Sequence, residues 1–334
     1  MFTHLAIALD GSPQAEKALP IAVLLAKRLP APLLLLHVCM EPEDTSNSRQ
    51  PEPEKAVKPE IYLDQLKKDL TDPSKNWSLQ PEFVQTRVQY GKYAYELANV
   101  AAAEGANLVI MTTHGRSGLS LLVMGNIATG VLTNTNLPVL LLRPEEVITS
   151  LEETFETFAV SFEQKPTRLM VTLDGTPKGE AALEVALALA TQLNTTLDLV
   201  EVITPTPSYV MFDPGLDYKL LEELEQAQKE TLKQEAFQYL EKVQDWIKSK
   251  VTELKVETSV LIGLPAAQLV AYIHESKPLL VIMATHARSE VGQILLGSVA
   301  EEVLRQSHSP VLMVRIPKGF EGYKLQTRIG EGTS

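Results

Sequence analysis

The sequence predicts an α/β protein made of two doubly wound domains, and three observations carry this prediction. The chain has 334 residues, enough for about two domains of ordinary size. Its second half repeats its first, since Asp10-Gly11-Ser12-Pro13 returns as Asp174-Gly175-Thr176-Pro177. In each half, short apolar runs alternate with stretches of helical periodicity. That alternation is typical of a parallel sheet covered by helices on both faces.

The strands are predicted from apolar runs that occupy matching places in the two copies. The first, second, fourth and fifth runs of each copy are mainly apolar and indicate buried strands, while the third alternates with polar residues. The first copy is predicted to hold strands at residues 5–9, 33–38, 83–88, 108–111 and 139–142. The second copy is predicted to hold them at residues 169–173, 197–202, 254–260, 279–283 and 311–314.

Helices are predicted between these strands. Ser12 and Thr176 are good N-caps, each with a proline at the next position, and the helices they open run to about residues 29 and 193. Pro20 is expected to kink the first of them. Further helices are predicted at residues 94–104 and 266–275, and a long charged helix at 216–250. A loop without apolar periodicity is predicted at residues 41–59.

These elements divide the chain into two domains and two connecting or terminal segments. We expect a first domain at residues 1–144, a Glu- and Thr-rich linker at 145–166, and a second domain at 167–317. The polar, glycine-containing residues 318–334 are expected to form a flexible tail.

Charge and cysteine content exclude several classes of protein. With 30 Lys and Arg against 42 Asp and Glu, the net charge is −12, which disfavours binding to nucleic-acid backbones or anionic membranes. The single cysteine, Cys39, excludes an intrachain disulfide and a cysteine-cluster metal site. The sequence shows no signal peptide, and its longest uncharged stretch is broken by polar residues and proline. We expect a cytoplasmic location.

Candidate site residues lie where the predicted strands end, because doubly wound sheets bind ligands at the carboxyl ends of their strands. Asp10 and Asp174 follow the first strand of each copy. A loop after the fourth strand leads to Gly125-Asn126 in copy one and to Gly297-Ser298 in copy two. Glycines at a helix start let phosphate approach free backbone N–H groups, and Arg116 and Arg288 in these loops would add a charge. The residues alone leave open whether these are only loop glycines and helix-entry aspartates.

The two loops carry a resemblance to a known family. They read T-H-G-R-S-G…G-N-I-A and T-H-A-R-S-E…L-L-G-S-V-A-E-E-V-L, and each leads to a P-V-L strand. Each half resembles a universal stress protein domain, and the whole chain resembles a tandem-domain member of that family. The resemblance implies a Rossmann-like fold similar to the adenine nucleotide alpha hydrolases, with five parallel strands per domain. It also implies that the last strands, 139–142 and 311–314, pair in an intrachain pseudo-dimer, and it allows a homodimer.

ATP-binding members of this family carry Gly-x2-Gly-x9-Gly-Ser/Thr, and neither copy matches it fully. Copy one places Thr112, Gly115, Gly125 and Asn126 at the four positions. Copy two places Ala284, Ala287, Gly297 and Ser298 there, so copy one is favoured for ATP. Carried over residue by residue, the resemblance implies nucleotide contacts from Asp10, Val38, Met111, Gly115, Arg116, Gly125 and Asn126, and from Asp174, Val202, Met283, Arg288, Gly297 and Ser298.

The resemblance implies a stress-response module that binds ATP, alone or with Mg²⁺, without rapid turnover. The sequence contains neither a GxxxxGK[ST] loop nor a GxGxxG motif. Two alternatives stay open. One is a slow ATP hydrolase that uses Asp10 and Arg116, and the other is an adaptor or dimerisation protein that binds no nucleotide.

Overall fold

A computed structural model describes residues 2–39, 58–113, 124–143, 155, 168–205, 218–285 and 296–325. The strands of the first half are β1 (Leu5–Leu9), β2 (Leu33–Cys39), β3 (Val84–Tyr90), β4 (Leu108–Thr112) and β5 (Val139–Leu142). Those of the second half are β6 (Arg168–Leu173), β7 (Thr196–Ile203), β8 (Val256–Ile262), β9 (Leu280–Thr285) and β10 (Val311–Arg315).

The helices connect these strands, and several of them begin at or next to proline or glycine. In the first half they are α1 (Pro13–Glu16), α2 (Leu19–Arg28), α3 (Pro59–Leu70), α4 (Tyr93–Ala103) and α5 (Asn126–Asn134). In the second half they are α6 (Leu183–Leu193), α7 (Tyr218–Lys250), α8 (Pro265–Ser276) and α9 (Ser298–Gln306). Short 3₁₀ turns lie at Pro81–Phe83 and Gly179–Ala182.

All of these strands form one sheet, in the order β3-β2-β1-β4-β5-β10-β9-β6-β7-β8. Pairing is parallel within each half, as predicted for a doubly wound fold. The halves meet at β5 and β10, which pair antiparallel with Leu140 opposite Leu312. The expected pairing of the last strands is therefore confirmed within the chain. Because the two halves run in opposite directions, their strand carboxyl ends lie at opposite edges of the sheet.

Helices cover both faces of the sheet and bury two apolar clusters. One cluster joins alternate strand residues such as Ile7 and Val171 to helices α2, α3, α6 and α7. The other joins the residues between them, such as Ala6 and Met170, to α4, α5, α8 and α9. Side chains of a strand alternate between faces, so strands buried on both faces need mainly apolar residues, as the sequence has.

A pair of arginines at equivalent positions joins the two halves beside the β5–β10 pair. Nη1 of Arg315, at the end of β10, donates to the carbonyl oxygen of Thr135 at 2.9 Å, just after α5. Its counterpart Arg143 donates to the carbonyl oxygen of Arg305 in the last turn of α9. A cation at a helix C-terminus meets the negative end of the helix dipole. Each half therefore caps a helix of the other.

Several predicted element boundaries differ from the structure. In the second half, the helix predicted to open at Thr176 begins only at Leu183, after the 3₁₀ turn at Gly179–Ala182. The first helix is not continuous: α1 ends at Glu16 and α2 begins at Leu19, and Pro20 lies in the first turn of α2, where its missing N–H removes no hydrogen bond. The third strand of each half lies further along the chain than predicted, at Val84–Tyr90 and Val256–Ile262. Both are edge strands whose exposed residues leave their ends poorly marked by hydrophobicity.

The predicted flexible tail is also corrected over its first part, because residues 318–325 fold back on the second half. The ring centroid of Tyr323 lies 4.5 Å from that of Trp246 on α7. The Tyr323 backbone N–H donates to the buried carboxylate of Glu180. Gly322, at φ +81°, packs so closely on Pro177 that an added Cβ would lie 2.8 Å from it. The loop at 41–57, nearly all of the linker, and residues 326–334 lie outside the described residues.

Candidate functional site

The first candidate site is a pocket of about 340 Å³ at the carboxyl ends of β1, β2 and β4. It lies where the chain leaves the neighbouring strands β1 and β4 in opposite directions, which is the usual ligand position in doubly wound sheets. Its volume is in the range of small-molecule sites. The lining residues are Ala8, Leu9, Asp10, Ala15, His37, Val38, Tyr93, Leu97, Met111, Thr112, Thr113, Gly125, Asn126, Ile127 and Ala128.

One end of this pocket is the start of α5. Gly125 is the N-cap residue of α5, and because it has no side chain it makes no side-chain cap hydrogen bond to the first turn. The Gly125 N–H itself is used, since it donates to the Thr113 carbonyl oxygen at 2.8 Å. The first three residues of a helix have no intrahelical acceptor for their N–H groups, and Asn126, Ile127 and Ala128 all line the pocket. This end can therefore bind an anion by backbone N–H groups and the helix dipole.

The acidic residue of the pocket is Asp10, held by the turn that follows β1. Its Oδ1 accepts from the Ser12 backbone N–H at 2.9 Å and from the Ser12 hydroxyl at 2.5 Å. Ser12 Oγ in turn accepts from the Ala15 N–H at 3.2 Å and caps α1. The local sequence therefore fixes the carboxylate at the pocket rim. There it can accept hydrogen bonds from amino or hydroxyl groups of a ligand.

A second carboxyl group lies close behind Asp10. Burial raises the pKa of Glu16, and the negative charge of Asp10 acts in the same direction. The neighbouring Tyr62 hydroxyl acts in the opposite direction. The Tyr62 ring also meets the buried His37 ring edge-on, with centroids 5.9 Å apart. Ionisable side chains therefore lie behind the Asp10 carboxylate, whereas the residues that line the rest of the pocket are mainly apolar.

The second candidate site is the equivalent pocket at the carboxyl ends of β6, β7 and β9, with a volume of about 480 Å³. Asp174 repeats the Asp10 turn, accepting from the Thr176 N–H at 3.0 Å and from its hydroxyl at 2.7 Å. Gly297 is the N-cap residue of α9 at φ +82°, a conformation that glycine adopts without strain. The lining residues are Thr172, Leu173, Asp174, Gly179, Val202, Pro265, Leu269, Met283, Ala284, Thr285, Leu296, Gly297, Ser298, Val299 and Ala300.

The wall behind the second pocket is more acidic than that behind the first. Glu201 takes the place of His37, and Glu180 takes the place of Glu16. Both are buried, beside Tyr239 of α7. Burial raises the pKa of the Tyr239 hydroxyl, and the charges of Glu180, Glu201 and Asp174 raise it further. The two pockets therefore occupy equivalent places in their halves but differ in the charge behind them.

Ten of the thirteen predicted contact residues meet in these two pockets. The first pocket brings together Asp10, Val38, Met111, Gly125 and Asn126. The second brings together Asp174, Val202, Met283, Gly297 and Ser298. Gly115, Arg116 and Arg288 lie outside the described residues, so the structure places neither arginine. The nucleotide-binding role of all thirteen stays a prediction.

The sequence analysis did not single out Tyr93, which lines the first pocket from the start of α4. The available signal was its departure from the repeat, since the equivalent residue of the second half is Pro265. It also did not single out Thr113 and Thr285, which follow or end the fourth strand of each half. Local sequence does not reveal that the first residue of α4 reaches a pocket at the ends of strands that precede or follow it in the chain.

Two absences among the described residues bear on the class of site. No group of three or more His, Cys, Asp and Glu side chains is placed there to hold a metal ion. No helix among these residues is long and apolar enough to cross a bilayer. Among the described lining residues of the two pockets there is no Lys or Arg, so an anion there would be bound by backbone N–H groups and neutral side-chain donors such as Asn126 and Ser298.

Comparisons with known proteins agree with this architecture. The profile of the universal stress protein family matches residues 1–143 and again residues 166–315. A universal stress protein of Methanocaldococcus jannaschii is 30% identical over 154 residues, covering 45% of this chain and 83% of that protein. One of Bacillus subtilis is 30% identical over 152 residues, covering 43% of this chain and all of that protein. A universal stress protein structure from Archaeoglobus fulgidus has a TM-score of 0.54 at 18% identity, covering 94% of this chain and 98% of that chain, and so shares the fold.

Proposed function

The chain belongs to the universal stress protein family, and from this premise we propose that it is a stress-response module that binds ATP without rapid turnover. The first pocket is the principal ATP site, and the second pocket is a weaker one. ATP enters as its Mg²⁺ complex or alone, and its binding biases the protein between states that partners distinguish. The observation that carries the proposal is the convergence of an acidic acceptor, an apolar slot and an uncapped helix start in one pocket.

Each part of this arrangement suits one part of the nucleotide. The apolar walls at Val38 and Met111 suit the flat base, and the carboxylate of Asp10 suits an amino or hydroxyl donor of the base or ribose. The start of α5 suits the phosphates, which need N–H donors and a positive dipole more than they need lysines. A bound Mg²⁺ would take its ligands mainly from phosphate oxygens and water, as it commonly does.

The absence of rapid catalysis is proposed on the chemistry of the pocket. Phosphoryl transfer depends on groups that hold metal ions and orient a nucleophile at the transferred phosphate. Among the described lining residues, Asp10 is the one carboxylate of the first pocket, and the Ser12 donors hold it at the rim. A regulatory binding role therefore fits this site better than hydrolysis does.

The proposal is tested by placing a carboxylate at each helix start. Asn126 and Ser298 are the first residues of α5 and α9, and both are exposed. Glutamate at this position stabilises a helix by about 0.3–1 kcal/mol, so Asn126→Glu and Ser298→Glu should fold normally. The same charge repels triphosphate and should remove binding from the pocket that carries it.

Isothermal titration calorimetry of ATP into the full chain measures the outcome. We expect saturable binding to the wild type, loss of the tighter site in N126E, loss of the weaker site in S298E, and no binding in the double variant. Unchanged melting temperatures serve as the folding control. The absence of saturable binding to the wild type would refute the proposal in favour of an adaptor role. Turnover of ATP by the wild type that is lost in N126E would favour the hydrolase alternative.

A further inference from the structure

The two pockets differ at the wall formed by the helix that follows the third strand. In the first pocket this wall carries Tyr93, the first residue of α4. In the second pocket the equivalent residue is Pro265, the first residue of α8. Proline suits the first position of a helix, so the backbone there does not require tyrosine. Helix geometry therefore does not explain why the first half has a tyrosine at this position.

A close helix contact holds Tyr93 at the pocket. Gly130 of α5 packs against Ala94 of α4 so tightly that a Cβ on Gly130 would lie 2.4 Å from the Cβ of Ala94. Ala94 is the residue next to Tyr93, so this contact draws the start of α4 toward α5. In the second half the equivalent of Gly130 is Glu302, which no longer allows such an approach. The first pocket is accordingly the smaller, at about 340 Å³ against 480 Å³.

The topology places Tyr93 on the β3–β2 side of the pocket, whereas the start of α5 follows β4. Helix α4 follows β3, which pairs with β2, and β2 carries Val38 near its carboxyl end. Helix α5 instead follows β4, two places further along the sheet. Tyr93 and Val38 thus line the pocket from the β3–β2 side, while Gly125 and Asn126 line it after β4. An aromatic ring beside a branched aliphatic side chain is a suitable surface for a flat heteroaromatic group.

We infer that Tyr93 stacks on the nucleotide base and makes the first pocket the tighter and more base-dependent of the two sites. This inference rests on the proposed function, because it concerns the ligand of the same pocket. The Gly130–Ala94 contact positions the ring, and the tyrosine at position 93 supplies its face. In the second pocket Pro265 leaves the base with an aliphatic wall and a wider slot.

The experiment exchanges the two residues, since each stands at the same helical position. Tyr93→Pro is made in the S298E background, where the first pocket is the binding site that remains. A base that stacks on an aromatic side chain gains affinity that proline does not supply, so we expect about a tenfold or greater loss of ATP affinity. Tyr93→Phe keeps the ring and should retain the affinity. Tyr95→Ala is the control, because Tyr95 is exposed on the same helix and does not line the pocket.

Inorganic tripolyphosphate distinguishes a loss of base stacking from a change in the pocket that weakens phosphate binding as well. It has no base, so its own dissociation constant should not depend on stacking. Competition against ATP measures that constant, and we expect the same value in Tyr93→Phe and Tyr93→Pro. The reciprocal change, Pro265→Tyr in the N126E background, should tighten ATP binding to the second pocket.

Each result either supports the inference or overturns it. A loss of ATP affinity in Y93P that Y93F rescues, with tripolyphosphate unaffected, supports it. Unchanged ATP affinity in Y93P overturns it while the proposed function stands, and so does an equal loss for ATP and tripolyphosphate. If the S298E parent shows no saturable ATP binding, the proposed first-pocket site fails and the inference fails with it.

Discussion

Replacing Arg315 by alanine should weaken the junction between the two halves. Arg315 is partly buried at the end of β10, and its Nη1 lies 2.9 Å from the Thr135 carbonyl oxygen and 3.5 Å from that of Thr133. A hydrogen bond from a charged donor contributes about 1.5–3 kcal/mol, and a cation at a helix C-terminus adds about 0.3–1 kcal/mol. We therefore expect Arg315→Ala to lower the free energy of unfolding by about 2–3 kcal/mol.

The matched control is Arg143→Ala, because Arg143 makes the equivalent contact to the Arg305 carbonyl oxygen at an exposed position. Exposed charges contribute less, so its loss should cost below about 1 kcal/mol. Urea unfolding curves of the two variants and the wild type, followed by circular dichroism, measure both values. Equal costs for the two variants, or no cost for Arg315→Ala, would refute the claim that burial makes this contact the stronger one.

Two further predictions concern the second half. Gly322→Ala should lower the free energy of unfolding by more than the ~1–2 kcal/mol that a positive φ costs, because its Cβ would also meet Pro177. Gly319→Ala is its control, because Gly319 also has a positive φ, +78°, but a Cβ added there would meet no atom within 4 Å. If thermal melts show the same loss of stability for both variants, the packing of residues 318–325 on the second half is contradicted. Burial raises the pKa of Asp198, so the stability this carboxyl contributes is present below its unfolded pKa of about 4 and is lost as pH rises through its folded pKa. The stability of the wild type relative to Asp198→Asn should therefore fall from acidic to neutral pH in chemical denaturation, and a rise would reverse the reasoning.

Much of the fold followed from patterns that local sequence carries. Buried strands such as Leu5–Leu9 and Val139–Leu142 are bounded by polar or turn residues, so their limits were predicted correctly. The internal repeat identified two copies of one fold, and the family resemblance supplied the pairing of β5 with β10. The packing of Tyr323 on Trp246 could not be predicted, because the two aromatic residues are far apart in sequence and their contact depends on tertiary structure.

The candidate site was predictable to a similar degree. Asp10, Gly125 and their counterparts stand directly after strands or before helices, and parallel topology brings such positions together at one edge. Tyr93 was missed because its place depends on how closely α4 packs on α5, which is set by Gly130 in another element. The repeat aligns His37 with Glu201, but the sequence alone gave no sign that these residues lie behind the Asp10 and Asp174 turns.

The most direct test of ATP binding is mass spectrometry of small molecules released from protein purified without added nucleotide. The measurement compares the wild type with the N126E/S298E double variant, in which a carboxylate occupies both helix starts. We predict that the wild type releases adenine nucleotide and the double variant releases none. Release of no adenine nucleotide by the wild type, or of equal amounts by both proteins, would contradict the account of these pockets as ATP sites.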